Sequence, residues 1–331
     1  MKPGKLAFID HSFHGKTKSN QFLIDLLSEY YDVDVYFDRS WEDGEKVDLE
    51  VLSEEYENFV FFQVIYKRDY MECIRGKNII YVPMYDQVRK KDKKYWKEYR
   101  GYKVLCFCKE LYDKLCRYGF FAKYVKYYPQ PVQVCASDRD KPVIYFWQRA
   151  DRFNWHHVKR LIRPEQISRV IVNDTVDPGN VFVRPSDSDV ALYNIEFISW
   201  IKDEKEYHKL LSGIDIMFAP RLEEGIGLSF LDGMARGIVI ISSDRPTANE
   251  YITSLNGYLF DVDKLEYIDV SDFRMKSVMV RRIFEEGYLN WKHSHADIIS
   301  FVKCREVRTS FFRQFFVDIM RKYYDRRSRK Q

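Results

Sequence analysis

Glu224 and Asp232 are two carboxylates eight positions apart, and Gly225 and Gly227 stand just after the first of them. A glycine turn feeding a helix offers unpaired backbone N–H groups, and the helix dipole adds to them, so the turn favours a negatively charged ligand. Glu223 and Glu224 lie just before that turn. Phosphate alone does not explain acids there. Carboxylates accept from hydroxyls, so the ligand that fits these residues carries hydroxyl groups as well as phosphate. A sugar joined to a nucleotide has hydroxyls at both ends and a diphosphate between them. Asp232, about two helical turns beyond Glu224, would sit deeper along the same ligand.

The elements that must position these residues can be read around them. Residues 214–218 form a short apolar run, as a strand buried on both faces should. Leu228, Leu231, Met234 and Ala235 recur at helical spacing, and Gly237 ends that helix. Residues 238–241 are the next strand, followed by a helix, a tight turn at Asn256-Gly257 and a last short strand. Upstream, strands are predicted at 5–9, 33–37, 58–65, 78–82, 103–107 and 122–127. A helix follows the first of them, with Ser19 as its candidate cap. A second set begins at 143–146, 168–172 and 194–199, with a helix over 203–211. Strands alternating with helices predict an α/β protein with parallel sheets, whose ligands gather where the strands end. His11, His14 and Gly15 follow the first strand, and Tyr85 and Asp86 follow the fourth, so these five are candidates to line a ligand cleft. For the histidines, ordinary loop positions are the other reading. Gly15-Lys16-Thr17 lacks the glycine five residues upstream that a P-loop needs.

Glu224-Gly225-Ile226-Gly227-Leu228, then Leu231-Asp232-Gly233-Met234-Ala235-Arg236-Gly237, then Asn256-Gly257-Tyr258-Leu259-Phe260 form a long ordered pattern. It resembles the retaining nucleotide-sugar glycosyltransferases of the GT-B type, the family-four or group 1 kind. The resemblance implies two Rossmann-like β/α/β domains facing a cleft, with a C-terminal helix crossing back to the first domain. It implies an acceptor-side domain over 1–135, a nucleotide-sugar domain over 136–305, and a helix and basic tail over 306–331. It also implies transfer of a sugar from a nucleoside diphosphate to a hydroxyl, with retention, the acceptor being a lipid-linked or polysaccharide glycan. Glu224 would act at the sugar, and Arg149 stands where the family's arginine holds the donor diphosphate. Gly225, Ile226, Gly227 and Leu228 would line the donor, and Asp232, where the family usually has Glu, would hold the ribose. Asn154 stands where the family has a lysine, so Arg152 or Lys159 is left to supply the second phosphate contact. Trp200 and Ile201 fall where the nucleotide base is seated. Tyr85 and Asp86 replace the histidine often found near that point. An epimerase or phosphorylase of the same architecture, or a non-catalytic subunit that binds a nucleotide sugar or a partner, are the competing readings.

At 331 residues the chain can build two cores, and a net charge of +4 implies no global polyanion partner. No nucleic-acid motif is present. Six cysteines without a secretory leader predict reduced thiols in a cytoplasmic protein. Asp32-Val33-Asp34, Asp187-Ser188-Asp189 and Asp261-Val262-Asp263 are D-x-D triplets, but none follows the pattern of a metal-dependent transferase, so neither metal nor cofactor is expected. The segment 89–100 interleaves lysines with Tyr95, Trp96 and Tyr99, and the stripe Phe311, Phe312, Phe315, Phe316, Ile319 and Met320 runs into a basic tail. The resemblance puts the stripe on the helix that crosses back onto the first domain. The first segment and the basic tail suit an anionic membrane surface, each basic residue contributing about 1 kcal/mol there. The protein is therefore expected to co-sediment with anionic but not neutral liposomes. Changing Lys90, Lys91, Lys93, Lys94 and Lys97 to glutamate should abolish this, and equal sedimentation with both liposome types would reduce the patch to a solvated helix face.

Overall fold

The structure, a computed structural model, describes residues 4–134 and 137–305. The chain divides into two compact units, one holding the residues up to Val125 with those from Ser294 onward, the other Lys126–His293. Each unit is built on a six-stranded, wholly parallel sheet with helical connections. In the first unit the strands are β1 (Lys5–His11), β2 (Asp32–Asp38), β3 (Asn58–Phe62), β4 (Asn78–Val82), β5 (Lys103–Cys106) and β6 (Phe121–Tyr124). Their order is β2-β1-β3-β4-β5-β6. In the second they are β7 (Val143–Trp147), β8 (Arg169–Asn173), β9 (Ile195–Ile198), β10 (Ile216–Phe218), β11 (Val239–Ser243) and β12 (Gly257–Phe260). Their order is β12-β11-β10-β7-β8-β9.

Burial follows from this topology. Strands β3, β4, β5, β10 and β11 are buried along their whole length and read as apolar runs, as strands covered on both faces must. Edge strand β2 keeps three aspartates, Asp32, Asp34 and Asp38. In each sheet the chain reverses its direction of growth once. In the first unit that happens between β1 and β3, in the second between β7 and β10. The connections leave in opposite directions there and open a crevice at the carboxyl ends of the strands.

The segments with mixed signals resolve by burial. Trp96 and Tyr99 face inward and belong to the first unit's core, while Lys90, Lys91, Lys93, Lys94 and Lys97 stay exposed. The expectation that these rings meet a membrane is thus corrected, because three-residue spacing on the short helix Lys93–Lys97 and the turn after it points both rings inward. The patch is charge without its tryptophan. Ser19 is not the cap; the N-cap is Asn20. The helix expected after β11 is a single 3₁₀ turn, Ala248–Glu250. The tight turn at Asn256-Gly257 is present, with Gly257 N donating to Thr253 O at 3.0 Å, and it leads into β12, which runs parallel to β11. Asn256 closes a loop by accepting from Thr253 N at 2.7 Å and donating to Tyr251 O at 2.9 Å. Gly257 lies so close to β11 that a Cβ would come within 2.7 Å of Ile240 O. Among the described residues no helix is long and apolar enough to cross a membrane, and the aromatic stripe and basic tail lie outside them.

One long helix, Phe273–Lys303, begins in the second unit and ends in the first. This return was expected of the segment beyond 305, which lies outside the described residues. The first residues of β3, β4 and β5 are Asn58, Asn78 and Lys103, all buried. Asn78 Nδ2 donates to Asn58 Oδ1 at 2.9 Å and to Val302 O at 2.8 Å. Lys103 Nζ donates to Phe301 O and Val302 O, each at 2.8 Å, and to Cys304 O. These are carbonyls at the end of the long helix, which have no partner within a helix, and an ammonium suits the negative end of the helix dipole. Burial pushes the Lys103 ammonium down to about 8. Lys103→Met should leave Phe301 O and Cys304 O without this donor, at about 1–2 kcal/mol each. Urea unfolding should therefore show a loss of about 2–4 kcal/mol, and a loss below about 1 kcal/mol would show that the lysine is not what holds the helix end.

Candidate functional site

The second unit's reversal point places the ends of β7 and β10 side by side. Arg149 follows β7 and Arg221 follows β10. Asp177, beyond β8, takes both: Arg149 Nε and Nη2 donate to its Oδ1 at 3.0 and 2.8 Å, and Arg221 donates to its Oδ2 from Nε at 3.1 Å and from Nη2. The Arg149 guanidinium also lies 4.8 Å from the centre of the Trp147 ring. The loop that carries Asp177 is held by the three residues that end β7 and follow it. Trp147 Nε1 donates to Thr175 O at 2.6 Å, Gln148 Nε2 to Val181 O at 2.9 Å, and Asp177 N to Arg149 O at 2.8 Å. Gln148 Oε1 accepts from Val183 N at 3.2 Å, and this glutamine is buried. Two cations therefore stand at fixed positions beside the reversal point.

The acids predicted from sequence lie next to them. Glu223 accepts from Arg245 Nη1 at 2.7 Å. Glu224 is only 5% exposed, and its carbonyl accepts from the Thr247 hydroxyl at 2.9 Å. Gly225 O accepts from the same hydroxyl at 3.2 Å. Gly227 is the N-cap of the helix Leu228–Met234, with φ +89°. That helix has seven residues, so its dipole is small and the arginines carry more of the positive charge. Glu224 precedes the helix and Asp232 lies in its second turn, so their spacing is not two turns of one helix. Asp232 is half-buried, and its charge, after burial, helps push up the Tyr207 phenol on the helix Glu204–Ser212. Arg149 acts on the same phenol in the opposite sense, so Tyr207 lies within electrostatic reach of both residues.

The remaining donor candidates separate. Trp200 is 51% exposed after β9 and stands 5.9 Å from the Trp147 ring; Ile201 beside it is half-buried. Lys159 is turned to helix Asp187–Leu192, where its Nζ lies 3.0 Å from Asp189 Oδ2. The same oxygen accepts from Trp155 Nε1 at 3.0 Å. Lys159 thus pairs with Asp189 of the second D-x-D triplet. Arg152 is exposed in the turn after Arg149. Asn154, in place of the lysine, caps the helix Trp155–Leu161 in a capping box with His157. Asp34 accepts from the Tyr56 hydroxyl, and Asp261 accepts from Asp263 N at 2.9 Å. Among the described residues no group of three or more His, Cys, Asp or Glu side chains could hold a metal ion, and the five described cysteines are free thiols.

In the first unit, His11 and His14 come together around Asp10, which is fully buried at the end of β1. Asp10 Oδ1 accepts from His11 N at 2.6 Å and lies 2.8 Å from His14 Nδ1; Oδ2 accepts from Asn20 Nδ2. Burial raises the Asp10 carboxyl, against the opposing pull of His14. Burial, then the His14 charge, lowers His11. Gly15 lies in the turn with His14, 3.3 Å from the Phe37 ring if it carried a Cβ. Tyr85 is corrected: it is buried in the core and its hydroxyl donates to Glu110 Oε1 at 3.0 Å, so it is not presented to a ligand. Asp86 follows it in the same short helix, half-buried. A cavity of about 600 Å³ lies elsewhere, between edge strand β6 and the end of the long helix, lined by Tyr112, Phe121, Tyr124 and Phe301 among others. It lies at the edge of the first sheet away from that sheet's reversal point.

Residues 190–268 match the profile of the family described as glycosyl transferases group 1. No curated protein matches the sequence. The fold is similar to that of the lipopolysaccharide outer core galactosyltransferase WaaB in its apo form, at 16% identity and a TM-score of 0.58, covering 91% of this chain and 100% of that one. It is similar to a sucrose-phosphate synthase from Thermosynechococcus elongatus, at 13% identity and a TM-score of 0.60, covering 95% and 100%. Anabaena HepE in complex with UDP and glucose aligns at 11% identity and a TM-score of 0.59, covering 89% and 99%. The fold is GT-B, and its second unit bears the group 1 segment.

Arg221, Asp177 and Tyr207 were not legible as site residues. Asp177-Pro178-Gly179 reads as a turn, and only the position of Arg221 just past a strand end gives a signal. The turn before Leu228 depends on Gly227, where a Cβ would meet the Phe230 ring at 2.0 Å. Gly227→Ala should cost about 2–4 kcal/mol, from left-handed backbone and overpacking together. Gly233→Ala meets Ile240 Cδ1 and Met217 Sδ at 3.3 Å, which can give way, and Ile238 Cβ at an ordinary 3.7 Å, and should stay within about 1 kcal/mol of the native protein in urea unfolding. Equal losses in the two variants would show that Gly227 is not needed for its φ.

Proposed function

We propose that this GT-B chain, with a group 1 glycosyltransferase segment in its second unit, transfers a sugar from a nucleoside diphosphate to a hydroxyl acceptor. The observation that carries the reading is the pair of arginines, Arg149 and Arg221, set on either side of the reversal point, with Glu224 three residues beyond Arg221. Breaking the bond from sugar to diphosphate builds negative charge on the leaving group and positive charge on the ring. Guanidinium groups pair with phosphate oxygens in two-point contacts, so Arg149 and Arg221 suit the leaving group. Held in place by Asp177 before the reaction, they would stabilise that charge without reorganising. Arg221 fills the role that sequence left to Arg152 or Lys159.

Glu224 then takes the sugar hydroxyls and lies near the ring as it becomes cationic. Asp232, beside Tyr207, takes the ribose, although its arm is one methylene shorter than Glu. The exposed face of Trp200, beside Trp147, suits a nucleotide base. A uridine nucleotide is the first to test, since HepE is described in complex with UDP and glucose. Retention at the sugar, a lipid-linked or polysaccharide acceptor held by the first unit, work at the cytoplasmic face of a membrane, and independence of metal belong to the same proposal. The exposed lysines of 90–97 support the membrane part.

Hydrolysis of UDP-, GDP- and ADP-sugars by the full chain tests this directly. One donor should turn over. Glu224→Gln should slow it at least 100-fold with little change in donor affinity, because a charge near the ring matters most in the transition state. Arg221→Ala should weaken binding of the matching nucleoside diphosphate about tenfold, while Arg152→Ala and Lys159→Ala change it little. EDTA should have no effect. A chain that neither hydrolyses nor binds any of these nucleotides would favour the non-catalytic reading, and loss of turnover on chelation would require a metal.

A further inference from the structure

We propose that the carboxyl end of β1 and β2 is a saccharide subsite, in which a pyranose ring of the acceptor stacks on Trp41 while Glu42 and His14 take its hydroxyls. This rests on the reading of the chain as a sugar transferase and names the class of its acceptor. The place is set by topology. β1 and β2 end in register, His11 opposite Asp38, and β1 borders the first unit's reversal point. Gln63, which follows β3 across that point, holds φ +66°. Left-handed backbone is costly for a non-glycine residue, and such residues cluster where ligands bind.

Trp41 is 46% exposed, yet it is held on several sides. One face stacks on the His11 ring, with centroids 4.6 Å apart and planes at 24°. Phe13, itself 36% exposed, meets it edge-on at 6.4 Å. The indole N–H donates to Ser12 Oγ at 2.7 Å, and Ser12 Oγ donates to Glu42 Oε1 at 3.1 Å. An exposed tryptophan costs solvation, and fixing it costs entropy as well. A ring fixed before binding is what makes an aromatic surface effective, since the ligand then does not have to order it.

The surroundings select the ligand. His14 is held through Nδ1 on Asp10, so Nε2 is its other hydrogen-bonding atom. Glu42 supplies a carboxylate at the rim. The charged groups that act on His11 are Asp10, Asp38 and Glu42, with His14. Acids this close disfavour phosphate and other anions, and an acyl chain would strip water from the Glu42 carboxylate for no hydrogen bond in return. A sugar ring has one face of C–H bonds and an edge of hydroxyls. It fits an aromatic face bordered by acceptors.

The test is saturation-transfer NMR on the full chain, with methyl α-D-glucopyranoside, methyl β-D-galactopyranoside and methyl N-acetyl-β-D-glucosaminide as probes. At least one should receive saturation at its ring C–H protons. Trp41→Ala should weaken that binding about tenfold or more, and Trp41→Phe, which keeps a ring, should restore part of it. Thermal unfolding of each variant checks the fold, and Glu42→Gln gives a second reading of the same site without touching the ring. Equal glycoside binding in the native protein and Trp41→Ala, or none to the native protein, would overturn the subsite. So would a Trp41→Ala defect seen with anionic liposomes and not with glycosides. Nucleoside diphosphate binding, measured in the same samples, reports on the transferase reading separately: its presence without glycoside binding sinks the subsite alone, and its absence sinks the reading beneath it.

Discussion

A single carboxylate, Asp177, holds two guanidinium groups together at the end of the second sheet. Two cations drawn to one carboxylate repel each other by a few kcal/mol at an effective dielectric constant of about 20. Without the shared acid, Arg149 and Arg221 would swing apart. With it, their separation is set by the geometry of one carboxyl group, and so is the loop that carries Asp177. Trp147, Gln148 and Arg149 each bond that loop, so the order of the loop and the order of the cations are one property. Whatever binds there meets positive charge already arranged.

The opposite ends of the sheets do different work. At the amino end of the first sheet, Asn58, Asn78 and Lys103 form a buried polar row that receives the end of the long helix. At the amino end of the second, buried Asp215 accepts from Val143 N at 2.8 Å and pairs with Arg139 at 3.1 Å. In each case a buried polar group is satisfied within its own unit, which is what keeps its burial from being costly. Carboxyl ends, by contrast, collect groups whose hydrogen-bonding capacity is oriented by neighbours: His14 by Asp10, Arg149 by Asp177, Glu223 by Arg245. This division explains why chemically capable residues at amino ends, Lys103 above all, carry no functional reading here.

The alternation of strands and helices was legible because burial on both faces leaves apolar runs of strand length. β4 falls on residues 78–82 as read, and the helix after the glycine turn begins at Leu228. The acids of the site were legible because their chain neighbours form an ordered pattern. Partners across the chain were not. Asp177 meets Arg149 across 28 positions and Arg221 across 44, and nothing local to Asp177-Pro178-Gly179 announces either contact. Charge and aromatic content misled where they alternate: Trp96 among lysines and Tyr85 after a strand are both claimed by the core, which takes large rings wherever they can face inward. The partner of Lys159 was equally illegible, since a lysine on a helix pairs with the nearest acid, here Asp189 on the next one.

The shortened acid at 232 follows the same logic. On the proposed reading the ribose needs an acceptor at the depth where the family usually places Glu, and Asp reaches less far. A second hydroxyl group stands near, on Tyr207, and the Asp232 charge reinforces the effect of burial in keeping that phenol protonated. A protonated phenol both donates and accepts, so it can extend the shorter carboxylate toward a diol without adding charge. Arg149 acts on the same phenol from the phosphate side. Tyr207 therefore feels both the group assigned to the ribose and the group assigned to the diphosphate. On that reading the departure at 232 would spread one contact over two residues, so a shorter acid and a bound donor are compatible.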